Sequence, residues 1–294
     1  MTWQQAVITT DPENAPLFET LLEQMGALSI TMTDGSDQPI YEPPLDTTPL
    51  WQQVLVTGLF EEQHDLSQAK QLLSKGINNS HDWTLQVEQL KEQVWERVWL
   101  EHFTPIKFGH EFWVCSTEHQ APDSAKTVMW LDPGLAFGTG THPTTALCLE
   151  WLSHQDLVQK NIIDFGCGSG ILAIAALLMG ANNAIGIDID PQALKATIDN
   201  ATKNQIQQKI QVYDASDYPN TPEDVVIANI LAEPLISLAP QIMALVKPDG
   251  QLILSGILST QINQVKQAYQ ADFDFDDAQI KDDWACLSAT KRQQ

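Results

Sequence analysis

Basic residues are scarce in this chain of 294 residues, which has 15 Lys and Arg against 38 Asp and Glu and a formal net charge of −23. A surface so rich in negative charge repels nucleic-acid phosphates and anionic membranes, so direct binding to either is not expected. A basic partner is electrostatically favoured, and evenly spread acidity also serves solubility. Charge alone therefore excludes classes of partner without identifying one.

Cysteine clusters, metal-ligand spacings and long apolar runs are also missing. None of the four cysteines lies in a Cys-x-x-Cys pair and the seven histidines are not spaced as metal ligands, so neither a redox motif nor a metal site is predicted. The most apolar stretch, residues 171–179, is much shorter than the roughly 20 residues that cross a bilayer. Residues 1–5 do not open a signal peptide. These absences predict a cytoplasmic protein with reduced, buried thiols.

The length suits two domains, and the first third has the pattern of a small α+β domain. Apolar periodicity predicts six elements in the order β-α-β-β-α-β, at residues 6–8, 15–25, 29–33, 51–60, 66–73 and 83–90. That order is typical of a ferredoxin-like fold. Residues 91–103 then have helical spacing, and we expect a helix that connects this domain to the next.

The remainder of the chain alternates short apolar strands with helices. Residues 112–115 and 128–131 are expected to pair as a hairpin that precedes a helix. The strands that follow are predicted at residues 162–164, 184–187, 210–213, 225–228 and 252–254. Such alternation predicts an α/β fold with a doubly wound, mainly parallel, Rossmann-like sheet.

A glycine-rich turn follows the first of these strands, where residues 164–170 read Asp-Phe-Gly-Cys-Gly-Ser-Gly. Glycines permit a tight strand-to-helix turn and let the backbone approach a ligand. The dinucleotide pattern Gly-x-Gly-x-x-Gly is not met, because Ile171 stands at its third glycine position. A carboxylate at this turn, Asp164, would repel a pyrophosphate and attract an ammonium group. S-adenosylmethionine has an ammonium group and no phosphate, so we predict it as the cofactor, with Asp164, Gly166 and Gly168 at its site.

Three further acids stand near the ends of later strands. Asp188 ends the next strand about 20 residues past the turn, where a ribose-binding acid is expected. Asp190, directly before Pro191, has the position of a helix N-cap. Asp214 ends the third strand and suits an adenine contact or a simple turn equally well.

The glycine-rich turn and Asp188 together resemble the class I S-adenosylmethionine-dependent methyltransferases. Residues 131–145 are more distinctive and read Leu-Asp-Pro-Gly-Leu-Ala-Phe-Gly-Thr-Gly-Thr-His-Pro-Thr-Thr. Residues 229–232 read Asn-Ile-Leu-Ala, and residues 95–99 read Trp-Glu-Arg-Val-Trp. With these stretches the chain resembles the ribosomal protein L11 methyltransferase family (PrmA) from about Trp95 to the C-terminus.

This resemblance implies functions for single residues and for domains. The family's cofactor-contacting positions correspond to Thr145, Gly166, Asp188 and Asn229. The implied organisation is a substrate-recognition domain over residues 1–92, a linker helix over residues 93–108 and a methyltransferase domain over residues 109–294. The implied activity is methylation of the N-terminal amino group and of lysine side chains of a basic ribosomal protein, L11. Asn229 is a candidate for positioning the acceptor amine, and no catalytic base is assigned.

Other interpretations of the same residues stay open at this level. His142 suits a structural hydrogen bond or a general base. Asn229 stands at the carboxyl end of a strand, where open α/β sheets bind ligands, and suits a ligand site or a turn. The substrate of a class I methyltransferase with these motifs is alternatively another protein or a small molecule. An NAD-dependent oxidoreductase is disfavoured by Asp164 and by the missing third glycine.

Overall fold

The structure is a computed structural model that describes residues 3–38, 40, 47–76, 83–90, 104–131 and 140–293. The chain divides into two compact units, Met1–Val94 and Trp95–Gln294. The predicted connecting helix at residues 91–103 lies outside the described residues. So do residues 132–139, which make up most of the distinctive stretch at residues 131–145.

The first unit is a four-stranded antiparallel sheet with two helices. Its elements are β1 (Trp3–Thr10), α1 (Ala15–Gln24), β2 (Ser29–Asp34), β3 (Val54–Glu61), α2 (Ala69–Gly76) and β4 (Thr84–Leu90). The strand order is β2-β3-β1-β4, and every neighbouring pair is antiparallel. The predicted order of elements is therefore confirmed, with the second helix beginning three residues later than expected.

Alternation along the strands places the core of this unit on one face of the sheet. Ile8 of β1 and Val56 of β3 are buried together with Phe18 and Leu22 of α1. Period-two alternation on a strand and an apolar stripe on a helix produce this arrangement. The helix α1 ends before Gly26, whose φ of +90° is the left-handed conformation that glycine adopts at low cost.

The second unit begins with a small three-stranded sheet of β5 (Ile106–Phe108), β6 (Phe112–Cys115) and β7 (Thr127–Trp130). The expected hairpin between β6 and β7 is wrong, because these two strands pair in parallel. The hairpin partner of β6 is β5, to which it is antiparallel. Residues 116–126 are long enough to return the chain to the start of β6, and apolar periodicity carries no information on strand direction.

The main sheet of the second unit is doubly wound. Its strands and helices are α3 (Pro143–Ser153), β8 (Asn161–Phe165), α4 (Ile171–Leu178), β9 (Asn183–Asp188), α5 (Pro191–Lys203), β10 (Ile210–Asp214), β11 (Glu223–Asn229), α6 (Ala232–Ser237), α7 (Ala239–Ala244), β12 (Val246–Leu258), α8 (Ile262–Tyr269), β13 (Phe273–Phe275), β14 (Gln279–Lys281) and β15 (Trp284–Lys291). The order across the sheet is β10-β9-β8-β11-β12-β15-β13, with β14 also paired to β15. The five strands from β10 to β12 are parallel, and β13 to β15 add antiparallel pairs that the periodicity did not predict.

Both faces of this sheet are covered, which explains the continuous apolar character of its central strands. Adjacent residues Ile162 and Ile163 of β8 belong to two different buried clusters, as do Val226 and Ile227 of β11. One cluster contains α3 and α4, and the other contains α6, α7 and α8. With both faces covered, the carboxyl ends of the parallel strands are the place where polar groups of the sheet can meet a ligand.

Cys115, Cys148, Cys167 and Cys286 are free and buried. Within the described part of the chain, no helix is long and apolar enough to cross a membrane.

Candidate functional site

A cavity of about 560 Å³ lies at the carboxyl ends of the parallel strands of the second unit. Its wall follows the strand order of the sheet, from Ala215 after β10 through Asp188 on β9, Gly166 after β8, Asn229 on β11 and Gly256 on β12 to Trp284 on β15. Open α/β sheets bind their ligands along this edge. A cavity therefore lies at the strand ends, where the sequence predicts a ligand site.

The glycine-rich turn forms the centre of the cavity wall with its backbone. Gly166 N and Cys167 N both donate to Ile187 O, at 2.7 and 3.0 Å, which fixes the turn against β9. Gly166 has φ +79°, and a Cβ at this position would lie 2.3 Å from Ile230 Cγ2. No larger residue fits without displacing Ile230, so the bare backbone here is required by packing as well as by conformation.

Asp188 is held in place by two backbone amides. Its Oδ2 accepts a hydrogen bond from Gly168 N at 2.9 Å, and its Oδ1 accepts one from Asp190 N at 3.0 Å. Each carboxylate oxygen has a second acceptor site, so both remain able to bind hydroxyl groups of a ligand in the cavity. The neighbouring Asp190 caps α5 by accepting from Gln192 N at 2.8 Å, which confirms the N-cap prediction.

Asp164 lies beneath the turn and is completely buried. Its Oδ2 accepts from Ala173 N at 3.1 Å, and its Oδ1 has no hydrogen-bond partner among the described residues. Burial raises the pKa of this carboxyl from 3.8 to about 7, the Ala173 amide opposes that shift and Asp188 adds to it. Asp164 is not among the described residues that line the cavity, so its contact with a ligand ammonium group stays a prediction.

Asn229 and Thr145 form a pair at the end of β11. Asn229 Nδ2 donates to Thr145 Oγ1 at 3.3 Å. Asn229 lines the cavity, and the fully buried Thr145 lies behind it on α3. Asn229 Oδ1 is buried and has no hydrogen-bond partner among the described residues, which is costly unless a ligand supplies a donor. Asn229 thus lies on the cavity wall with its amide hydrogen-bonded to Thr145, and its binding of a ligand stays a prediction.

His142 and Trp284 form the end of the cavity that lies beyond Asn229. His142 is the N-cap of α3, and its Nδ1 lies 2.8 Å from Thr144 Oγ1. Its ring meets that of Trp284 edge-on, with centroids 4.9 Å apart. Burial lowers the pKa of His142, which favours the neutral form of the ring. The capping geometry agrees with the structural interpretation of His142.

Gly256 and Trp284 also line the cavity, although the sequence patterns predicted no function for either residue. Gly256 lies where the β12–β15 register shifts, between Leu254 and Ile257, and its φ is +82°. A Cβ there would lie 2.4 Å from Ile230 O. The rule that placed Asn229, a residue at a strand's carboxyl end, also points to Gly256. The same rule does not point to Trp284, because this residue lies on β15, which is antiparallel to β12.

Asp214 belongs to a turn. Its Oδ1 accepts from Ser216 N at 2.8 Å and from Ser216 Oγ at 2.6 Å, and these bonds lower its pKa. The cavity wall at this strand is formed by Ala215. Of the two open interpretations of Asp214, the local geometry matches the turn.

The charge of the cavity restricts its ligand. None of the described lining residues is Lys or Arg, and Asp188 is the single carboxylate among them. In the described part of the chain, no group of three or more His, Cys, Asp or Glu residues is placed to hold a metal ion. Phosphate groups would meet no counter-charge among these described lining residues, whereas a neutral or cationic ligand with hydroxyl groups fits the donors and acceptors that they offer.

The fold and the site together define a class of protein. A doubly wound sheet, an Asp-x-Gly-x-Gly-x-Gly turn after β8 and a carboxylate at the end of β9 form the arrangement of the class I methyltransferases. The chain also resembles a solved structure, a ribosomal protein L11 methylase from Lactobacillus delbrueckii subsp. bulgaricus, with a TM-score of 0.59 and 31% identity. That match covers 65% of this chain and 100% of the other.

Sequence comparisons identify the family. The family model for ribosomal protein L11 methyltransferase (PrmA) matches residues 2–292. A protein of that name from Ectopseudomonas mendocina (strain ymp) is 51% identical over 296 residues, which covers 99% of this chain and 100% of the relative. Another from Marinobacter nauticus (strain ATCC 700491 / DSM 11845 / VT8) is 46% identical over 299 residues, with 99% of each chain covered. The chain belongs to the ribosomal protein L11 methyltransferase family.

Proposed function

We propose that this chain transfers methyl groups from S-adenosylmethionine to lysine side chains and to the N-terminal amino group of ribosomal protein L11. The observation that carries the proposal is the cavity at the carboxyl ends of β8, β9 and β11, in a chain that matches the family over nearly its whole length. The lining of this cavity includes the fixed carboxylate of Asp188 and the side chain of Asn229, whose buried oxygen has no hydrogen-bond partner among the described residues.

The residues of the cavity fit S-adenosylmethionine. We assign Asp188 to the ribose hydroxyls and the turn at Gly166 and Gly168 to the amino-acid part, with Asp164 beneath it. Asp188 and Asn229 lie two strand spacings apart, about 10 Å, because β8 stands between their strands. We therefore place the ribose towards β9 and the acceptor towards β11 and β12, and assign Thr145 to the support of Asn229. When bound, the cofactor supplies an electrophilic methyl group on a sulfonium.

The acceptor nitrogen must be neutral to attack, whereas a lysine has a reference pKa of about 10.4. Apolar side chains dominate the described cavity lining, including Phe165, Ile230 and Trp284. Such surroundings favour the neutral amine over the ammonium ion by desolvation. Asn229 Oδ1 accepts an N–H of this amine in our proposal and so directs its lone pair. Positioning of this kind accounts for large rate effects without a dedicated base.

The two units receive different functions in the proposal. Residues 1–92 form a ferredoxin-like substrate-recognition domain, an assignment supported by the strand order β2-β3-β1-β4. The predicted linker helix over residues 93–108 is wrong at its C-terminal end, because Ile106–Phe108 is strand β5 and pairs with β6. We assign residues 109–294, together with β5, to the methyltransferase domain. Residues 1–94 contain fourteen acidic and three basic residues, which favours attraction of a basic ribosomal protein and disfavours nucleic acid and anionic membranes. We place the reaction in the cytoplasm, where ribosomal proteins are made.

Mass spectrometry of the substrate tests the function. Unmodified ribosomal protein L11 incubated with this chain and S-adenosylmethionine is expected to gain mass in whole methyl steps, located at lysines and the N-terminal residue by fragmentation. A ribosomal protein left unmodified by a chain that binds S-adenosylhomocysteine would refute the substrate and leave methyltransferase chemistry in place.

Asn229→Ala is expected to lower kcat for L11 methylation by about 100-fold, the typical cost of removing one oriented polar group at a reacting centre. Asn229→Asp is the matched control, because it keeps an acceptor oxygen at the same position and is expected to retain more activity than the alanine variant. Full turnover by Asn229→Ala would show that this side chain does not position the amine. Steady-state methylation at saturating cofactor makes the comparison.

A further inference from the structure

A row of uncharged polar side chains runs along one face of α5 towards the site. Thr197 and Asn200 lie three positions apart on the helix, and Asn204 follows at its C-terminal cap. Residues at such spacings share one helix face. Thr197 and Asn200 are both buried, which is unusual for polar residues on a helix with an exposed outer side.

The first two of these side chains bind the glycine-rich turn. Thr197 Oγ1 donates to Gly168 O at 3.1 Å and lies 3.4 Å from Cys167 Sγ. Asn200 Nδ2 donates to Ser169 O at 2.9 Å. The carbonyls of Gly168 and Ser169 lie in the turn between β8 and α4, and these two side chains give them hydrogen-bond partners that a buried carbonyl needs.

Gly168 is consequently held at both of its peptide groups. Its N–H donates to Asp188 Oδ2 at 2.9 Å, and its C=O accepts from Thr197 Oγ1. The adjacent Ser169 carbonyl is fixed by Asn200. The orientation of Asp188, which faces the cavity, therefore depends on a turn whose shape is set from the opposite side by α5.

We propose that Thr197 and Asn200 are positioning residues for the cofactor. They hold the glycine-rich turn in the shape that keeps the Gly168 amide on Asp188 and so present the Asp188 carboxylate to the ribose. This inference rests on the proposed function, and it assigns the two residues an effect on cofactor affinity in addition to one on stability.

The same helix provides a matched control for this proposal. Asn204 binds the backbone of Trp130 instead of the turn, with Oδ1 accepting from Trp130 N at 2.7 Å and Nδ2 donating to Trp130 O at 2.8 Å. Thr202 is exposed and donates to Ile198 O on its own helix at 2.8 Å. Asn204→Leu and Thr202→Val thus remove the same kinds of group without touching the turn.

Calorimetric titration with S-adenosylhomocysteine, at a temperature where every variant is folded, tests the proposal. Asn200→Leu and Thr197→Val are each expected to weaken binding about tenfold, the usual effect of losing one buried hydrogen bond. Thr197→Ser, which keeps the hydroxyl, is expected to restore most of the affinity. Asn204→Leu and Thr202→Val are expected to bind within twofold of the parent.

Hydrogen exchange gives a second measurement that does not depend on affinity. The amides of residues 166–170 are expected to exchange faster in Asn200→Leu than in Asn204→Leu. Unchanged affinity in both Asn200→Leu and Thr197→Val, or an equal loss in Asn204→Leu, would overturn the positioning role. A parent chain that binds no S-adenosylhomocysteine would instead refute the proposed function, a result distinct from any difference between variants.

Discussion

Replacing Asp188 by asparagine is expected to weaken the binding of S-adenosylhomocysteine by on the order of 100-fold, since hydrogen bonds to a charged acceptor contribute about 3 kcal/mol. Both oxygens of Asp188 are engaged by backbone amides, at Gly168 N and Asp190 N. The asparagine amide offers one oxygen only, so its NH₂ group faces a donor on one side. The variant therefore loses a ribose acceptor and disturbs the turn at once.

Asp190→Asn is the matched control for this titration. It removes the same charge two residues along the chain, and asparagine is also a good N-cap for α5. Its affinity is expected to stay within twofold of the parent. An Asp188→Asn chain that binds as tightly as the Asp190→Asn chain would exclude Asp188 as the ribose ligand.

Asp164→Asn is expected to change how stability depends on pH. The folded chain keeps a proton on Asp164 up to a pKa of about 7, whereas the unfolded chain releases it near 3.8. Between these values the free energy of unfolding of the parent falls with rising pH by about 1.4 kcal/mol per unit because of this group, and the fall ends above pH 7. The asparagine variant has no such proton, so its stability relative to the parent is expected to rise by about 2 kcal/mol from pH 5.5 to 7.

Urea unfolding of the two chains at several pH values between 5.5 and 8 measures this difference. Asp277→Asn provides the control, because it makes the same substitution at an exposed position of the chain. A constant difference between Asp164→Asn and the parent would mean that Asp164 is ionised in the folded chain throughout this range.

Local chemistry explains which parts of the site could be predicted from the sequence. The turn at residues 164–170 and the cap at Asp190 depend on residues within a few positions of each other, so composition and spacing were sufficient. Asp188 and Asn229 follow from a general rule, that parallel strands bring their carboxyl ends to one edge. The alternation of strands and helices predicted the doubly wound sheet for the same reason.

Contacts between distant segments explain what could not be predicted. Apolar periodicity shows that residues 112–115 and 128–131 are strands and contains nothing about their relative direction, so the expected hairpin was wrong. Trp284 reaches the cavity because β15 pairs with β12 in antiparallel register. The bond from Asn200 to Ser169 joins residues 31 positions apart, and no sequence pattern relates them.

The most direct test of the account is a calorimetric titration of the unmodified chain with S-adenosylhomocysteine and, separately, with NADH. The cavity contains a fixed carboxylate, and none of its described lining residues is Lys or Arg, so it suits a phosphate-free nucleoside with an ammonium group. We expect one binding site per chain for S-adenosylhomocysteine and no heat of binding for NADH. Binding of NADH with no binding of S-adenosylhomocysteine would contradict the assignment of this cavity to a methyl donor.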